Sequence, residues 1–327
     1  MTERRYESSL VDLTDANRCL KVIQVDDANQ VVDLKLMSGG LRNSNFLLTL
    51  SNGRKLVLRV YEGEDANIRV AKEASIADLL ICNSISTAKY YSYEFDLSLG
   101  KWFALVEYIE GNTLANVIKR ADESTLNRLF FQAGEILTKI HQCQFKYNGF
   151  FAGDLSVDQP IDDPIESFEL YVFSCLLNPL VSQRIGQERI KRLMMLIKDQ
   201  RGELKKLTEH CCLSHMDFGP ENILVDLSTQ KVLAIIDWEF AASMSPLYDI
   251  GHMLRPYEQF TAYHQSFLCG YSTTGTQVDC HQQQLAKTLD LVNHLSRLAE
   301  VKVRPKLFAD SLACIDDLIY RSNGKVV

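Results

Sequence analysis

The sequence has no excess of positive charge and no paired cysteine motif. It contains 35 Lys and Arg residues against 42 Asp and Glu residues, a formal net charge of −7. Because a nucleic-acid-binding protein needs a basic face, we expect no nucleic-acid partner. The nine cysteines are scattered and form no Cys-x-x-Cys pair. This pattern indicates neither a disulfide framework nor a structural zinc site.

Long apolar runs are also missing. No segment approaches the roughly 18 consecutive apolar residues that a membrane-spanning helix needs. The opening MTERRYESSL has charges where a signal peptide has an apolar core. We therefore expect a cytoplasmic protein with no membrane partner. With 327 residues, 46% of them hydrophobic, the chain can form one large or two small cores.

The first third of the chain has the pattern of a β-rich unit. The alternation of apolar and polar residues predicts strands at 31–36, 46–50, 55–60 and 102–108, and a 3.6-residue period predicts a helix at 66–80. Asn52-Gly53 lies between two of these strands and predicts a hairpin with a type I′ turn, since both residues tolerate positive φ.

Helical patterns dominate after residue 111, beginning with a predicted helix at 125–141. We therefore expect an N-terminal part of residues 1–110 and a C-terminal part of residues 111–327. Two short apolar runs, 223–225 and 232–236, predict a late hairpin. Asn222 precedes this hairpin and Asp237 follows it, so the two side chains are expected to lie close together.

The segment that enters this hairpin carries the chemistry. His215, Asp217 and Asn222 have the spacing H-x-D-x-x-x-x-N of a kinase catalytic loop, and Asp237 follows as a metal-binding Asp does in kinases. Phosphoryl transfer needs a carboxylate that accepts the acceptor's proton and oxygen ligands for a cation. Asp217 is therefore the predicted catalytic base, and Asn222 and Asp237 are the predicted Mg²⁺ ligands. His215 is expected to order the loop by hydrogen bonding.

Each of these residues alone is typical of a turn or a strand end. Their combination and order resemble a known family: LSHMDFGPENILVD and VLAIIDWEFAASMSPLYDIGHML are similar to the two signature blocks of the aminoglycoside phosphotransferase and choline kinase superfamily. The resemblance covers about residues 30 to 257. It implies an α+β, protein-kinase-like fold with a small β-rich N-terminal lobe and a larger, mainly helical C-terminal lobe. It also implies Mg²⁺ and a nucleoside triphosphate, ATP or GTP, as the phosphoryl donor.

The resemblance extends to the nucleotide side. It implies that Gly39, Gly40, Ser44 and Asn45 belong to the loop over the phosphates. Glu107 to Ile109 then corresponds to the hinge, and the backbone at Glu107 and Ile109 is expected to meet the base.

A further feature departs from the family pattern. Arg59 stands where most kinases have a strand lysine that pairs with a helix glutamate, here Glu73. An arginine keeps the permanent positive charge but has a different geometry. Lys55, on the same strand, is the alternative phosphate-binding cation. Downstream, Asp249 is expected to brace the catalytic loop.

The acceptor side is expected in a helical insertion at about 142–210, which small-molecule kinases have and protein kinases lack. This insertion contains a stretch of acidic residues with no Lys or Arg between Lys146 and Arg184: Asp154, Asp158, Asp162, Asp163, Glu166 and Glu169. Such a stretch can guide a cationic acceptor, or it can be a solvated surface. Glu239 and Glu258 are further acceptor-binding candidates.

Three functions remain open from the sequence. The first is a kinase that phosphorylates a hydroxyl of an aminoglycoside-like, choline-like or other small metabolite. The second is a catalytically silent relative that binds a nucleotide or a partner. The third is a protein kinase, which the insertion and the lack of a D-F-G or A-P-E segment near Asp237 disfavour.

Overall fold

The computed structural model of the protein describes residues 11–23, 29–37, 43–208, 210–275 and 277–321. The chain forms two compact units. The first comprises Met1–Gly111, Phe151–Ser156 and Leu233–Glu239, and the second comprises Asn112–Phe150, Val157–Val232 and Phe240–Val327. No helix in the described ranges is long and apolar enough to cross a membrane.

The first unit is built on an antiparallel sheet of five strands in the order β1-β2-β3-β5-β4. Its elements are α1 (Leu13–Ile23), β1 (Val31–Leu36), β2 (Ser44–Leu50), β3 (Lys55–Tyr61), α2 (Ala66–Cys82), β4 (Tyr90–Asp96) and β5 (Lys101–Glu107). The alternation in β2 buries every second residue, as the sequence predicts. Ala16, Cys19 and Leu20 of α1 join the core on one face of the sheet.

The hairpin between β2 and β3 is present, but its turn differs from the predicted type. Gly53 has φ +84, whereas the φ of Asn52 is not positive. The N–H of Gly53 donates to the carbonyl of Leu50 at 2.8 Å, and the N–H of Leu50 donates to the carbonyl of Arg54 at 2.8 Å. This is a type I turn followed by one left-handed glycine, so the type I′ prediction was wrong.

The second unit is mainly helical. Its helices are α3 (Leu114–Val117), α4 (Glu123–Ile140), α5 (Pro164–Leu177), α6 (Pro179–Ile185), α7 (Gln187–Thr208), α8 (Leu247–Met253), α9 (Glu258–Thr261), α10 (His264–Tyr271), α11 (Cys280–Leu289), α12 (Leu291–Ala299) and α13 (Pro305–Arg321). Together with the β-rich first unit, they confirm the α+β class.

Short strands form two further small sheets. They are β6 (Asn112–Thr113), β7 (Gly149–Phe150), β8 (Cys212–Ser214), β9 (Ile223–Asp226), β10 (Lys231–Ile235) and β11 (Ala242–Met244). One small sheet has the order β7-β11-β8, and another has the order β10-β9-β6. β9 and β10 are the two strands of the predicted late hairpin.

Two glycines allow α4 and α10 to pack backbone against backbone. A Cβ at Gly134 would lie 2.1 Å from the carbonyl oxygen of Phe267, and a Cβ at Gly270 would lie 1.9 Å from that of Phe131. No side chain fits at these distances. The close crossing fixes α4 against α10. His141 directly follows α4, and Tyr271 ends α10.

Candidate active site

The catalytic loop connects β8 to β9 in the second unit. The side-chain amide of Asn222 donates to the carboxylate of Asp217 at 3.0 Å and to its backbone carbonyl at 2.9 Å. A 3₁₀ turn at Pro220–Asn222 brings the two residues together although they are five positions apart. The structure therefore joins the predicted base directly to one of the predicted metal ligands.

Asp249 holds this loop by its backbone. Its buried carboxylate accepts the N–H of His215 at 2.8 Å and the N–H of Met216 at 2.7 Å. His141 Nε2 lies 3.0 Å from the same carboxylate, and Tyr271 holds the other ring nitrogen of His141 at 2.9 Å. The expected bracing role of Asp249 thus has a geometric basis.

The side chain of His215 also orders the loop. It is fully buried, and its Nδ1 accepts a hydrogen bond from the backbone N–H of Asp217 at 3.3 Å. Met216, between the two residues, has φ +67. A non-glycine residue is strained in this conformation, and such strain is often found at functional sites.

A cluster of basic residues surrounds Asp217, and the sequence reasoning missed it. His252 Nε2 lies 3.5 Å from the Asp217 carboxylate, and a terminal nitrogen of Arg297 lies 3.9 Å from it. His252 is on α8 and Arg297 is on α12. The only signal in the sequence was the position of His252 three residues after Asp249, within the second family block.

Behind this cluster, Asp290 is fully engaged with buried partners. The guanidinium of Arg255 binds it with two hydrogen bonds of 2.6 and 2.8 Å, and His294 Nε2 lies 3.0 Å away. Burial alone would raise the pKa of Asp290, but Arg255 and His294 outweigh it and hold this pKa well below its usual value. Burial lowers the pKa of His252, and Arg255 lowers it further.

In the first unit, Arg59 of β3 is the cation of the candidate site. It lies 3.2 Å from Glu73 of α2 and 2.7 Å from Asp237, and its side chain is 11% exposed. Burial opposes its charge, but Glu73 and Asp237 outweigh burial and raise the pKa of Arg59. Lys55, the alternative cation, is 40% exposed and pairs with Glu110 at 3.5 Å. Of the two, Arg59 contacts the other predicted site residues.

Two tyrosines hold Glu73 in place. The hydroxyls of Tyr61 and Tyr90 donate to the same carboxylate oxygen at 3.2 and 2.7 Å. Burial raises the pKa of both tyrosines, and the Glu73 carboxylate raises it further. The tyrosines therefore remain hydrogen-bond donors, and they orient the carboxylate that faces Arg59.

Asp237 lies two residues after the end of strand β10 and has φ +69. Its side chain is 36% exposed. The backbone before it is fixed because the carbonyl of Ile235 accepts the Thr87 hydroxyl at 2.8 Å and the indole N–H of Trp238 at 3.2 Å. Asp237 is thus an accessible carboxylate on a strained and firmly held backbone.

Glu239, which the sequence suggested as an acceptor ligand, has another environment. It is buried in the first unit. Its carboxylate accepts the side-chain amide of Asn43 at 3.0 Å and lies 3.8 Å from Arg69, while its backbone carbonyl accepts Lys72 at 2.7 Å. These partners occupy the side chain, so Glu239 ties the start of β2 to the segment that carries Asp237.

The roles of the other residues on the nucleotide side stay predictions, and the structure shows only where some of these residues lie. Gly39 and Gly40 lie outside the described residues. Ser44 begins β2 and is buried, and Asn45 is the cross-strand partner of Arg59. Glu107 ends β5, and its side chain accepts the N–H of Lys89 at 3.2 Å. Ile109 follows that strand and is half-buried.

The acidic stretch of the insertion is not purely acidic in the fold. Asp163 lies 2.8 Å from Lys205, and Glu169 lies 3.0 Å from Arg201. Both cations are on α7. Asp163 also caps α5, accepting the N–H groups of residues 165 and 166 at 3.1 Å each. Lys205 and these N–H groups hold its pKa below the usual value.

The donor set of Asn222 and Asp237 fits Mg²⁺. Mg²⁺ is usually bound by one or two protein oxygens together with substrate phosphates and water, and not by a cage of side chains. Within the described ranges, no three His, Cys, Asp or Glu side chains form a group that could hold a metal.

Comparisons with known proteins identify the family of the chain and solved structures of similar fold. The model of the phosphotransferase enzyme family matches residues 33–279. No curated protein matches the sequence. The GDP complex of a mutant aminoglycoside 2'-phosphotransferase-IIIa is 16% identical with a TM-score of 0.73, over 96% of this chain and 99% of that chain.

Two further solved structures are similar. The GDP and kanamycin complex of APH(2")-IIia is 17% identical with a TM-score of 0.71, over 94% of this chain and 99% of that chain. A ternary complex of thermostable APH(4)-Ia with AMP-PNP and hygromycin B is 18% identical with a TM-score of 0.66, over 93% and 98%. These likenesses show the kinase-like fold. Because the family model covers most of the chain, the protein belongs to the phosphotransferase enzyme family and is a phosphotransferase.

Proposed function

We propose that the protein is a small-molecule kinase. It transfers the γ-phosphoryl group of a Mg²⁺-bound nucleoside triphosphate, ATP or GTP, to a hydroxyl of a small metabolite. The observation that carries this proposal is the hydrogen bond between Asn222 and Asp217 on a loop fixed by Asp249. Such a loop presents a base and a metal ligand in a constant geometry, which phosphoryl transfer requires.

Asp217 is the catalytic base in this proposal. Its side chain is 29% exposed, so an acceptor hydroxyl can reach it. The hydroxyl oxygen forms a bond to the γ-phosphorus as the bond to the β–γ bridging oxygen breaks. The hydroxyl proton passes to Asp217, and the nucleoside diphosphate leaves with the bridging oxygen. Asn222 keeps the carboxylate oriented during this step.

The remaining residues bind the donor. Asn222 and Asp237 would hold Mg²⁺, which would neutralise phosphate charge. Arg59 contacts the phosphates, and Glu73 orients its guanidinium. The loop through Gly39, Gly40, Ser44 and Asn45 covers the phosphates, and the backbone at Glu107 and Ile109 meets the base. Relatives of the same fold bind GDP or AMP-PNP, which supports a nucleotide donor.

Two observations bear on the class of acceptor: the ligands of relatives and the ion pairs of the insertion. Relatives of the fold bind kanamycin or hygromycin B, which favours an aminoglycoside-like or other hydroxylated acceptor. The insertion contains α5, α6 and α7, and we propose that it forms part of the acceptor-binding side. The pairing of Asp163 and Glu169 with Lys205 and Arg201 reduces the case for a polycation.

A nucleotide-consumption screen with Mg²⁺ over aminoglycosides, choline, sugars, amino acids and hydroxy acids tests the proposal. We expect consumption with at least one acceptor, and its loss in Asp217→Asn and Asp237→Ala. Both variants should keep the wild-type thermal unfolding profile. Glu203→Ala, on the exposed face of α7, removes a carboxylate elsewhere and should retain full activity.

Two results would count against these assignments. Near-normal kcat in Asp237→Ala with Mg²⁺ would show that the metal assignment is wrong. Failure of the wild-type protein to bind or consume any nucleoside triphosphate would remove the proposed function.

A further inference from the structure

We infer that the acceptor carries an oxyanion, a carboxylate or a phosphate ester, close to the hydroxyl that is phosphorylated, and that Arg297 binds this oxyanion. The inference rests on the proposed function, because it takes Asp217 as the base that receives the acceptor hydroxyl. It narrows the acceptor from any hydroxylated metabolite to an anionic one.

Arg297 lies beside Asp217, the proposed catalytic base, and its guanidinium N–H groups are free to donate hydrogen bonds to a ligand. One terminal nitrogen is 3.9 Å from the Asp217 carboxylate, which is too long for a hydrogen bond. In the part of the chain that the structure describes, Arg297 makes no hydrogen bond, and Asp217 is the only carboxylate within 4.0 Å of it. The side chains of Arg297 and Asp217 are 23% and 29% exposed. A small molecule can therefore contact both at once.

The other charged groups near Asp217 are already compensated. Arg255 is buried, and its guanidinium donates two hydrogen bonds to Asp290. It also donates a hydrogen bond to His252 Nε2 at 2.9 Å. Because that nitrogen accepts a hydrogen bond, it has no proton to give to Asp217. The lowered pKa of His252 agrees with a neutral ring. Among the described residues, Arg297 is thus the one cation beside Asp217 whose N–H groups are available to a ligand.

This arrangement disfavours a polycationic acceptor. An ammonium group placed near the hydroxyl at Asp217 would lie within a few ångströms of the Arg297 guanidinium and be repelled by it. Two of the acidic residues of the insertion, Asp163 and Glu169, are paired with cations of α7, which weakens their attraction for an ammonium group. Two oxygens of a carboxylate or of a phosphate, in contrast, match the two parallel donors of a guanidinium.

The test uses acceptor pairs that differ mainly in the oxyanion: D-glycerate and glycerol, ribose 5-phosphate and ribose, homoserine and 2-aminobutane-1,4-diol. Choline and kanamycin supply cationic members. With saturating Mg-ATP and Mg-GTP, we expect the anionic member of at least one pair to be phosphorylated with a higher kcat/KM than its neutral partner. In Arg297→Gln this kcat/KM should fall about ten- to a hundredfold, mainly through KM, as expected for a lost charge-assisted contact.

Further variants separate binding of the anion from a structural role. The kcat/KM for the neutral partner and the nucleotide KM should stay within about twofold in Arg297→Gln, and Arg297→Lys should keep part of the preference for the anion. Lys306→Gln removes the same charge from the exposed start of α13 and should change nothing. Thermal unfolding of each variant shows that the fold is intact.

The outcomes distinguish this inference from the proposed function. Phosphorylation confined to neutral or cationic members, or nucleotide hydrolysis without phosphorylation of any anionic member, overturns the anionic acceptor and leaves a kinase or nucleotide-binding enzyme in place. An equal loss for both members of a pair in Arg297→Gln also overturns it, because Arg297 would then act on Asp217 alone. Absence of nucleotide binding in the wild-type protein would instead be a failure of the proposed function.

Discussion

The backbone N–H of Met216 donates a hydrogen bond of 2.7 Å to the carboxylate of Asp249. Met216 has φ +67, a conformation that is unfavourable for a methionine by roughly 1 kcal/mol or more. The hydrogen bond compensates this strain, and it does so immediately before the proposed base. The geometry of the catalytic loop therefore depends on a residue of α8 that is 33 positions away in the sequence.

Replacement of Asp249 by Ala is expected to destabilise the protein and reduce activity. The change would leave the buried N–H groups of His215 and Met216 without an acceptor, at a cost of about 1–3 kcal/mol each. We expect a loss of about 2–6 kcal/mol in the free energy of unfolding, measured by urea denaturation. Under conditions where the variant is folded, kcat should fall while the nucleotide KM changes little.

Asp249→Asn is the informative companion, because an amide oxygen can still accept one of the two N–H groups. It should lose less stability than Asp249→Ala. Glu203→Ala, which removes an exposed carboxylate, should lie within about 0.5 kcal/mol of the wild type. Equal stability of Asp249→Ala and wild type would contradict the bracing role.

Much of the fold was predictable because its elements have strong local patterns. The helix at 66–80 is α2 (Ala66–Cys82), and the strand at 102–108 is β5 (Lys101–Glu107). The sequence pattern gave no clear signal for β4 (Tyr90–Asp96), whose side chains are mostly half-buried. An edge strand that is partly open to solvent lacks the clean alternation of a buried one, so its pairing with β5 had to come from the structure.

The candidate site was predictable where its residues share one short motif. Asp217 and Asn222 are five positions apart, and their contact follows from the loop that the spacing describes. Arg297 belongs to a helix eighty positions further on, and its approach to Asp217 depends on tertiary packing. No periodicity in the sequence reports such a contact, because the same pattern would describe an arginine on any helix surface.

Arg59→Ala is expected to weaken nucleotide binding and catalysis, whereas Lys55→Ala should have little effect. Arg59 contacts both Glu73 and Asp237, while Lys55 has an exposed partner. Loss of a charge-assisted phosphate contact costs roughly 1.5–3 kcal/mol, or about ten- to a hundredfold in kcat/KM for the nucleotide. Steady-state kinetics with varied Mg-ATP measure this difference.

Arg59→Ala also leaves the buried Glu73 without its cation, so its stability must be measured in parallel. Arg59→Lys retains the charge and separates the two effects: it should restore most of the stability and part of the nucleotide affinity. A large kinetic loss in Lys55→Ala together with a mild effect of Arg59→Ala would assign phosphate binding to the other cation of β3.

The stability of the protein should decrease as the pH falls below about 6.5, in part because of His264. Burial, and to a smaller extent the charge of Lys287, lower the pKa of His264 to about 4. Between these two pH values the unfolded chain binds the proton more readily than the folded one, so protonation favours unfolding. The contribution is lost as the pH decreases and is complete above about pH 6.5.

His264→Leu tests this titration because it places an apolar side chain at the start of α10 and removes the ionisable ring. The difference in unfolding free energy between pH 7.5 and pH 4 should be smaller in the variant by about 2–3 kcal/mol. His210→Gln, at an exposed position, should leave the difference unchanged. An identical pH dependence in His264→Leu and wild type would exclude His264 as a cause.

The last prediction concerns the acidic stretch of the insertion. Its sequence suggests a guide for a cationic acceptor, whereas the structure pairs Asp163 and Glu169 with cations. As a guide for a cationic acceptor, it requires carboxylates that are free to attract the ligand. In the structure Asp163 caps α5 and pairs with Lys205, so its replacement by Ala should mainly destabilise the helix, by about 1 kcal/mol.

Asp158 and Asp162 are exposed and can be neutralised without removing that cap. In the double variant Asp158→Asn, Asp162→Asn, we expect the acceptor KM to stay within about twofold of wild type at both low and high salt, because single exposed charges contribute at most about 1 kcal/mol and are screened. The nucleotide KM should not change. The acceptor for this experiment is the best substrate among the acceptor pairs described above, and its KM is measured at 20 and 300 mM NaCl. A severalfold increase in acceptor KM that disappears at high salt would instead show that this stretch attracts a cation, because neutralising it can only aid the capture of an anion.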